Sequence, residues 1–400
     1  MIIQKKFRIY GLLLCVLMGS SQGYFAYAAP TTAKYWNALK ASDSLVRSSH
    51  TEWERVFTQL PNTHMDVERF AASAGELARQ RGANSAEVES EIAANRIVAQ
   101  QSRDGHIQTG KLVFNQQDGI TSCDVTDGPP QPLHHSSAPE FKSATLTGHY
   151  IDIFDGLNVI SFDRSQSNEI AGELRRNQPQ ALEHSAPYPG QLQFLINAPV
   201  TDIFKPRDSV LAPGPRGLLT LSKSLKWGAQ PVELSMLISS VTWRPLSMTV
   251  KSTKDKRIVL RAVAEGYRKD ATGIRFPTKV EFAEIDAAGI PDLKFEYRLL
   301  AHSFNSSIPA ADLWLGVTPG VRITDYRFGQ PVSYKLGHHS IPSDEAVKRV
   351  YDAEVSAKSN RSLRNPSSYT LIILIGTAAI VIGLLIWRKS KYEAGERDEV

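Results

Sequence analysis

Hydrophobic positions along the chain change period near residue 105, and that change divides it into a helical front and a sheet-forming body. From Thr31 to about Leu60, Tyr35, Trp36, Leu39, Leu45, Val46, Trp53, Val56 and Phe57 recur mostly at intervals of three, four and seven, which predicts a helix ended by Pro61. A second helical stretch is predicted from Met65 to about Gln101, rich in Ala, Glu, Arg and Gln and broken near Gly82-Ala83-Asn84. Beyond Gly105 the pattern alternates. Lys111–Phe114, Ile120–Val125, Ala144–Phe154 and Leu157–Phe162 are short, β-branched or aromatic, and separated by the turns Asp118-Gly119 and Asp155-Gly156, so they predict antiparallel strands. The segment Asp127–Pro139 reads as a loop, and the proline-rich Arg175–Arg216 as irregular chain with one ordered island at Leu192–Ile196.

The alternation is clearest from Leu246 onward. Leu246–Val250, Ile258–Glu265, Phe276–Ile285 and Leu293–Phe304 are joined by short turns, and four such strands make a meander. A helix is predicted from Asp344 to about Lys358, with Ser343 as its N-cap. The fold class expected is α+β: a curved antiparallel sheet with N-terminal helices packed on it.

The two ends of the chain modify this picture. Lys5, Lys6 and Arg8 precede the apolar run Gly11–Met18, and Ala26-Tyr27-Ala28 follows with small residues two apart. This is the layout of a secretory signal peptide over residues 1–28, cleaved after Ala28, the apolar run being too short to span a bilayer as an anchor. Thr370–Trp387 carries no charge and is long enough, at 1.5 Å per residue, to match a ~30 Å hydrocarbon core. Tyr369 and Trp387 flank it, and Arg388, Lys389 and Lys391 follow directly, which predicts a C-terminal transmembrane helix with a cytoplasmic tail of residues 388–400. The expected order is therefore signal peptide (1–28), extracytoplasmic domain (29–358), stalk (359–369), transmembrane helix (370–387) and tail, a single-pass protein of a bacterial envelope.

The formal net charge of +5 falls to near +2 for the exterior part once Lys5, Lys6 and Arg8 leave with the signal. That charge gives no support for a nucleic-acid role, and no nucleic-acid partner is expected for an exterior domain. Cys15 lies in the signal, so the mature chain keeps Cys123 alone, within the strand-like Ile120–Val125, and is expected to bury it as a small hydrophobe. A domain without disulfides must rest on its apolar core.

No G-x-S-x-G, H-E-x-x-H, P-loop or paired-Cys signature occurs. The pairs His134-His135 and His338-His339 sit beside Gly, Ser or Pro and read as loop histidines, since neighbours on a strand face opposite ways. The same alternation puts His149 and Asp152 on opposite faces, so His149, Asp152 and Asp155 are not read as a titrating cluster. No catalytic residue, cofactor or metal site is expected, and no ligand-binding residue is singled out.

Two stretches resemble a known family. Arg275–Phe282, Phe304-Asn305-Ser306-Ser307-Ile308-Pro309, the apolar piece to Trp314 and Val317–Asp325 look like the closing strands of the outer-membrane lipoprotein carrier (LolA-like) superfamily. Tyr150–Asp163 is similar to that family's strand, Asp-Gly turn and aromatic strand. The resemblance spans Thr31 to about Tyr334. It implies an unclosed barrel with helices plugging its concave side around an apolar cavity, and binding of acyl chains, lipids or lipoproteins. With the expected tether, the implied role is a fixed, non-enzymatic binder or sensor rather than a diffusing shuttle, with the bilayer and a membrane protein as partners. An envelope hydrolase with a carboxylate site and a structural interaction module are the other readings left open.

Overall fold

In the computed structural model, residues 32–133, 148–164, 171–176, 188–214, 217–227, 230–328 and 331–353 are described. The chain divides into two units at residues 341 and 342.

The first unit is built on one sheet. Its early strands are β1 (Ser48–Gln59), β2 (His106–Gln117), β3 (Ile120–Asp127), β4 (Gln131–Pro132), β5 (Gly148–Phe154), β6 (Asn158–Asp163) and β7 (Ala171–Arg176). Its later ones are β8 (Val210–Pro213), β9 (Leu218–Trp227), β10 (Gln230–Ser239), β11 (Pro245–Ser252) and β12 (Ile258–Glu265). A small hairpin of β13 (Arg268–Lys269) and β14 (Arg275–Phe276) precedes β15 (Lys279–Ile285), β16 (Pro291–Phe304), β17 (Arg322–Asp325) and β18 (Val332–Lys335). The sheet runs β18-β17-β7-β6-β5-β3-β2-β1-β16-β15-β12-β11-β10-β9-β8, with β4 beside β2. Its two ends do not meet, so the barrel is unclosed. Every described pairing is antiparallel except β7 with β17.

The expected meander β11-β12-β15-β16 is present and extends back through β10, β9 and β8. Its turns are those of the sequence: Gly289 takes φ 82° and Gly273 φ 91°, left-handed conformations that glycine reaches without a Cβ clash. Pro277 interrupts the predicted strand Phe276–Ile285, leaving β14 in the side hairpin and β15 in the sheet.

The first predicted helix is corrected. Residues 32–43 are helical (α1), but Ser48–Gln59 is the central strand β1, paired with β2 and with β16. Ser49, Thr51, Trp53, Arg55 and Phe57 alternate onto one face. Hydrogen bonding on both edges, to residues far away in sequence, selects the period-two reading of a stretch that also fits a period near 3.6.

Helices α2 (Val67–Gln80) and α3 (Ser85–Asp104) occupy the second predicted helical stretch, broken where predicted, and pack against each other as a hairpin. Asp66 accepts from Arg69 N at the start of α2, and Asn84 and Glu87 form a capping box on α3. Arg96 grips Glu68 with two 2.9 Å bonds across the hairpin. Ile92 lies against Gly75, where any Cβ would collide with it.

Two apolar clusters cover the two faces of the sheet. On the inner face, residues from β1, β2 and β3 through β9 to β12, β15 and β16 gather around α4 (Gln191–Leu195) and α5 (Val200–Ile203), so the sheet curves about this segment. Leu192, Phe194, Leu195, Ile196, Val200, Ile203 and Phe204 are all buried there. The space for which the lipoprotein-carrier resemblance implies an apolar cavity is thus filled, among the described residues, by the chain's own residues 188–204. On the outer face of β5, β6 and β7, α6 (Ala310–Leu313), Trp314 and Val317 cover Ile151, Ile153, Ile160, Phe162 and Leu174, and Ile323 of the neighbouring strand β17 extends the cluster.

In the second unit, residues 344–353 are helical (α7), and the Ser343 hydroxyl accepts from Ala346 N as predicted for an N-cap. The expected architecture with a transmembrane helix is corrected: no helix among the described residues is long and apolar enough to cross a membrane. The longest, α3, has 20 residues but carries Glu87, Glu89, Glu91, Arg96, Arg103 and Asp104, whose desolvation forbids a bilayer core. The predicted span Thr370–Trp387, its stalk and tail, and the predicted signal peptide lie outside the described residues.

Candidate functional site

The inner face ends in an aromatic margin with a polar row running through it. Strand register sets the row: Tyr297 of β16 pairs with Arg55 of β1, Arg55 with Gly110 of β2, and Gly110 with Asp127 of β3. Gly110 presents no side chain, and a Cβ there would collide with the Asp127 carboxylate and the Thr126 carbonyl. Arg55 therefore reaches over it to Asp127, Nη1 to Oδ2 at 3.1 Å. Both side chains are largely buried, at 14% and 12% exposure. Burial pushes the Asp127 carboxyl above its ordinary range, and the Arg55 guanidinium opposes that.

Aromatic rings surround this pair. The Arg55 guanidinium lies 5.1 Å from the centre of Phe295. Phe57 packs on Phe295 at 4.9 Å and meets His106 edge-on at 5.3 Å. Burial holds the His106 imidazole below the usual histidine range, favouring its neutral form.

Tyr188, at the start of the filling segment, contacts Phe282, Phe295 and Trp227 with centroid separations of 5.7 to 5.9 Å. Its hydroxyl donates to Glu284 Oε1 at 2.7 Å, and burial followed by that carboxylate's charge raises its pKa strongly. Gln191 Nε2 donates to the Tyr297 hydroxyl at 2.8 Å, and burial pushes that phenol up to about 12. Phe57, Leu225, Trp227 and Leu211 are only partly buried against this core. The margin thus presents apolar area beside a largely desolvated cation and carboxylate, with the phenols of Tyr188 and Tyr297 buried behind it, a mix by which a pocket orients an otherwise apolar ligand.

Cys123 is fully buried on the inner face, paired in register with Asp152. Asp152 is fully buried and accepts from Ser161 Oγ at 2.6 Å. His149 lies on the opposite face and meets Asp124 at 3.0 Å, so it is separated from Asp152 as alternation predicts. Asp155 caps its own turn, accepting from Leu157 N and Asn158 N. His338 is exposed, whereas His339 is partly buried, stacked 5.7 Å from Trp314 and 2.9 Å from the Val317 carbonyl. His134 and His135 lie outside the described residues. Among the described residues no group of three or more His, Cys, Asp or Glu is placed to hold a metal ion.

Sequence reading singled out none of Arg55, Asp127, Tyr188 and Tyr297. The one signal was Gly110 inside an alternating strand, which marks close approach of neighbouring groups.

No known family matches the sequence, and no curated protein matches it. In structure the chain is similar to a DUF1329 family protein from Desulfovibrio piger, at TM-score 0.39 and 8% identity, covering 70% of this chain and 96% of that one. It is also similar to a putative outer membrane lipoprotein-sorting protein domain from Vibrio parahaemolyticus, at TM-score 0.35 and 8% identity, covering 70% and 94%.

Proposed function

We propose that this protein is an extracytoplasmic module of the cell envelope that binds an apolar ligand, the acyl chain of a lipid or lipoprotein, without turning it over. The supporting observation is the aromatic margin of the inner face, where the partly exposed Phe57 and Trp227 continue the buried surface of Phe295 and Tyr188. An acyl chain laid along these rings loses water contact at about 25 cal/mol per Å² of apolar area. Arg55, at 14% exposure, supplies the orienting polar group. The inner-face carboxylate Asp127 is engaged by Arg55, which favours binding over acid–base chemistry.

The test is photo-crosslinking of the full chain with a fatty acid bearing a photoactivatable group on its alkyl tail, followed by mapping of adducts by mass spectrometry. Adducts at or beside Phe57, Tyr188 and Trp227, competed by unlabelled fatty acid, are expected. Adducts confined to other regions, or none that compete, overturn the reading.

A further inference from the structure

At the end of the sheet where β10 turns into β11, two apolar side chains project from separately braced turns into the rim of one cleft. Val241 is 81% exposed and Leu45 57%. The Val241 turn is held by the Ser239 hydroxyl, which accepts from Val241 N and Thr242 N, and by Trp243 N donating to the Ser239 carbonyl at 2.7 Å. Trp243 sits at φ 57°, a conformation an L-residue adopts only under constraint, with its ring 6.2 Å from Tyr35. The Leu45 turn closes through Leu45 N to the Ser42 carbonyl, and the buried Arg244 donates to that same carbonyl at 3.3 Å. The tips are therefore fixed, and exposing them is a property of the fold.

Leu45, Val241 and Trp243 line a cleft of about 500 Å³ whose opposite wall carries Lys269 and Arg275. These two pair across the β13–β14 hairpin, with Arg268 beside them, and Arg47 follows the Leu45 turn. All four cations are exposed, and none forms an ion pair among the described residues. The hairpin's acid, Asp270, spends its carboxylate on the Thr272 hydroxyl and Ile274 N. Asp43 is buried against Thr201, and the neighbouring exposed Asp202 lies within the field of Lys205.

Exposed apolar tips ringed by uncompensated cations match the chemistry of an anionic bilayer surface, with an apolar layer beneath negative headgroups. We propose that this end of the sheet docks on an anionic lipid surface, with Val241 and Leu45 entering the headgroup boundary while Arg47, Arg268, Lys269 and Arg275 contact lipid phosphates. The surface is separate from the inner-face margin and does not depend on the ligand proposed there.

The test uses the full chain carrying Cys15→Ser, with Cys123 shielded by burial. Val241→Cys is labelled with an environment-sensitive fluorophore, and so, separately, is Ile290→Cys, 58% exposed in the turn before β16 at the other end of the meander. A blue shift at position 241 is expected with vesicles of phosphatidylcholine and phosphatidylglycerol. Pure phosphatidylcholine vesicles and inorganic phosphate should give none. Lys269→Glu with Arg275→Glu should raise the lipid concentration at half-shift at least about tenfold, each cation near such a surface being worth roughly fivefold. If the reversed pair fails to fold, the Gln pair makes the same test with a smaller rise. No shift, an equal shift at position 290, a shift with inorganic phosphate alone, or a half-shift indifferent to these charges overturns the proposal.

Discussion

Arg55 reaches Asp127 over an intervening strand, at 3.1 Å, because Gly110 stands between them in the row. The ion pair and the missing side chain are one device: a longer residue at position 110 would displace the carboxylate. Because both partners are largely desolvated, the pair is costly to break on one side.

Arg55→Ala should therefore destabilise the fold by about 3 kcal/mol, since it leaves a buried carboxylate uncompensated. Arg55→Met combined with Asp127→Leu should recover most of that loss, as apolar replacement of a buried pair is often near neutral. Urea denaturation of both variants checks this. A loss under about 1 kcal/mol for the single variant would show the pair to be solvated.

Trp53 ties the filling segment to the central strand. It is 1% exposed and its Nε1 donates to the Leu195 carbonyl at 3.1 Å, where the Thr51 hydroxyl also donates. Trp53→Phe should cost about 2 kcal/mol, from a lost bond and the cavity behind a smaller ring. Thr51→Val, which removes the companion donor but keeps the volume, should cost about 1 kcal/mol. Both are read by urea denaturation, and the reverse order of the two costs would contradict this account.

Asp43 gives a pH signature. Burial raises its carboxyl above the ordinary value of 3.8, and the bonds from Thr201 and the charge of Arg244 only partly oppose that. As pH rises through 3.8 the unfolded chain loses this proton first, so the native state binds more protons and stability falls until the folded-state pKa is passed. Asp43→Asn has no proton to lose. The stability of Asp43→Asn relative to the wild type should therefore climb with pH from about 3.8 upward and level off above the folded-state pKa. Denaturation midpoints measured across that range decide it, and a flat difference would refute it.

Local signals in the sequence determined a good part of the architecture. Asn84 and Glu87 three apart announce the start of α3, and Asp155-Gly156 and Ala287-Ala288-Gly289 announce turns, because a cap or a left-handed glycine acts within four residues. The alternation from Leu246 to Phe304 similarly determined the meander, since period two is a property of the strand itself. Tertiary structure decided the rest. Ser48–Gln59 fits two periods, and β2 on one edge with β16, roughly 240 residues away, on the other makes it a strand. Tyr188–Phe204 reads as proline-rich irregular chain, and becomes core because a curved sheet needs its inner face filled. Arg55 and Asp127 carry no motif. They meet because three strands align one row, and alignment between strands is a contact between distant residues that no window along the chain contains.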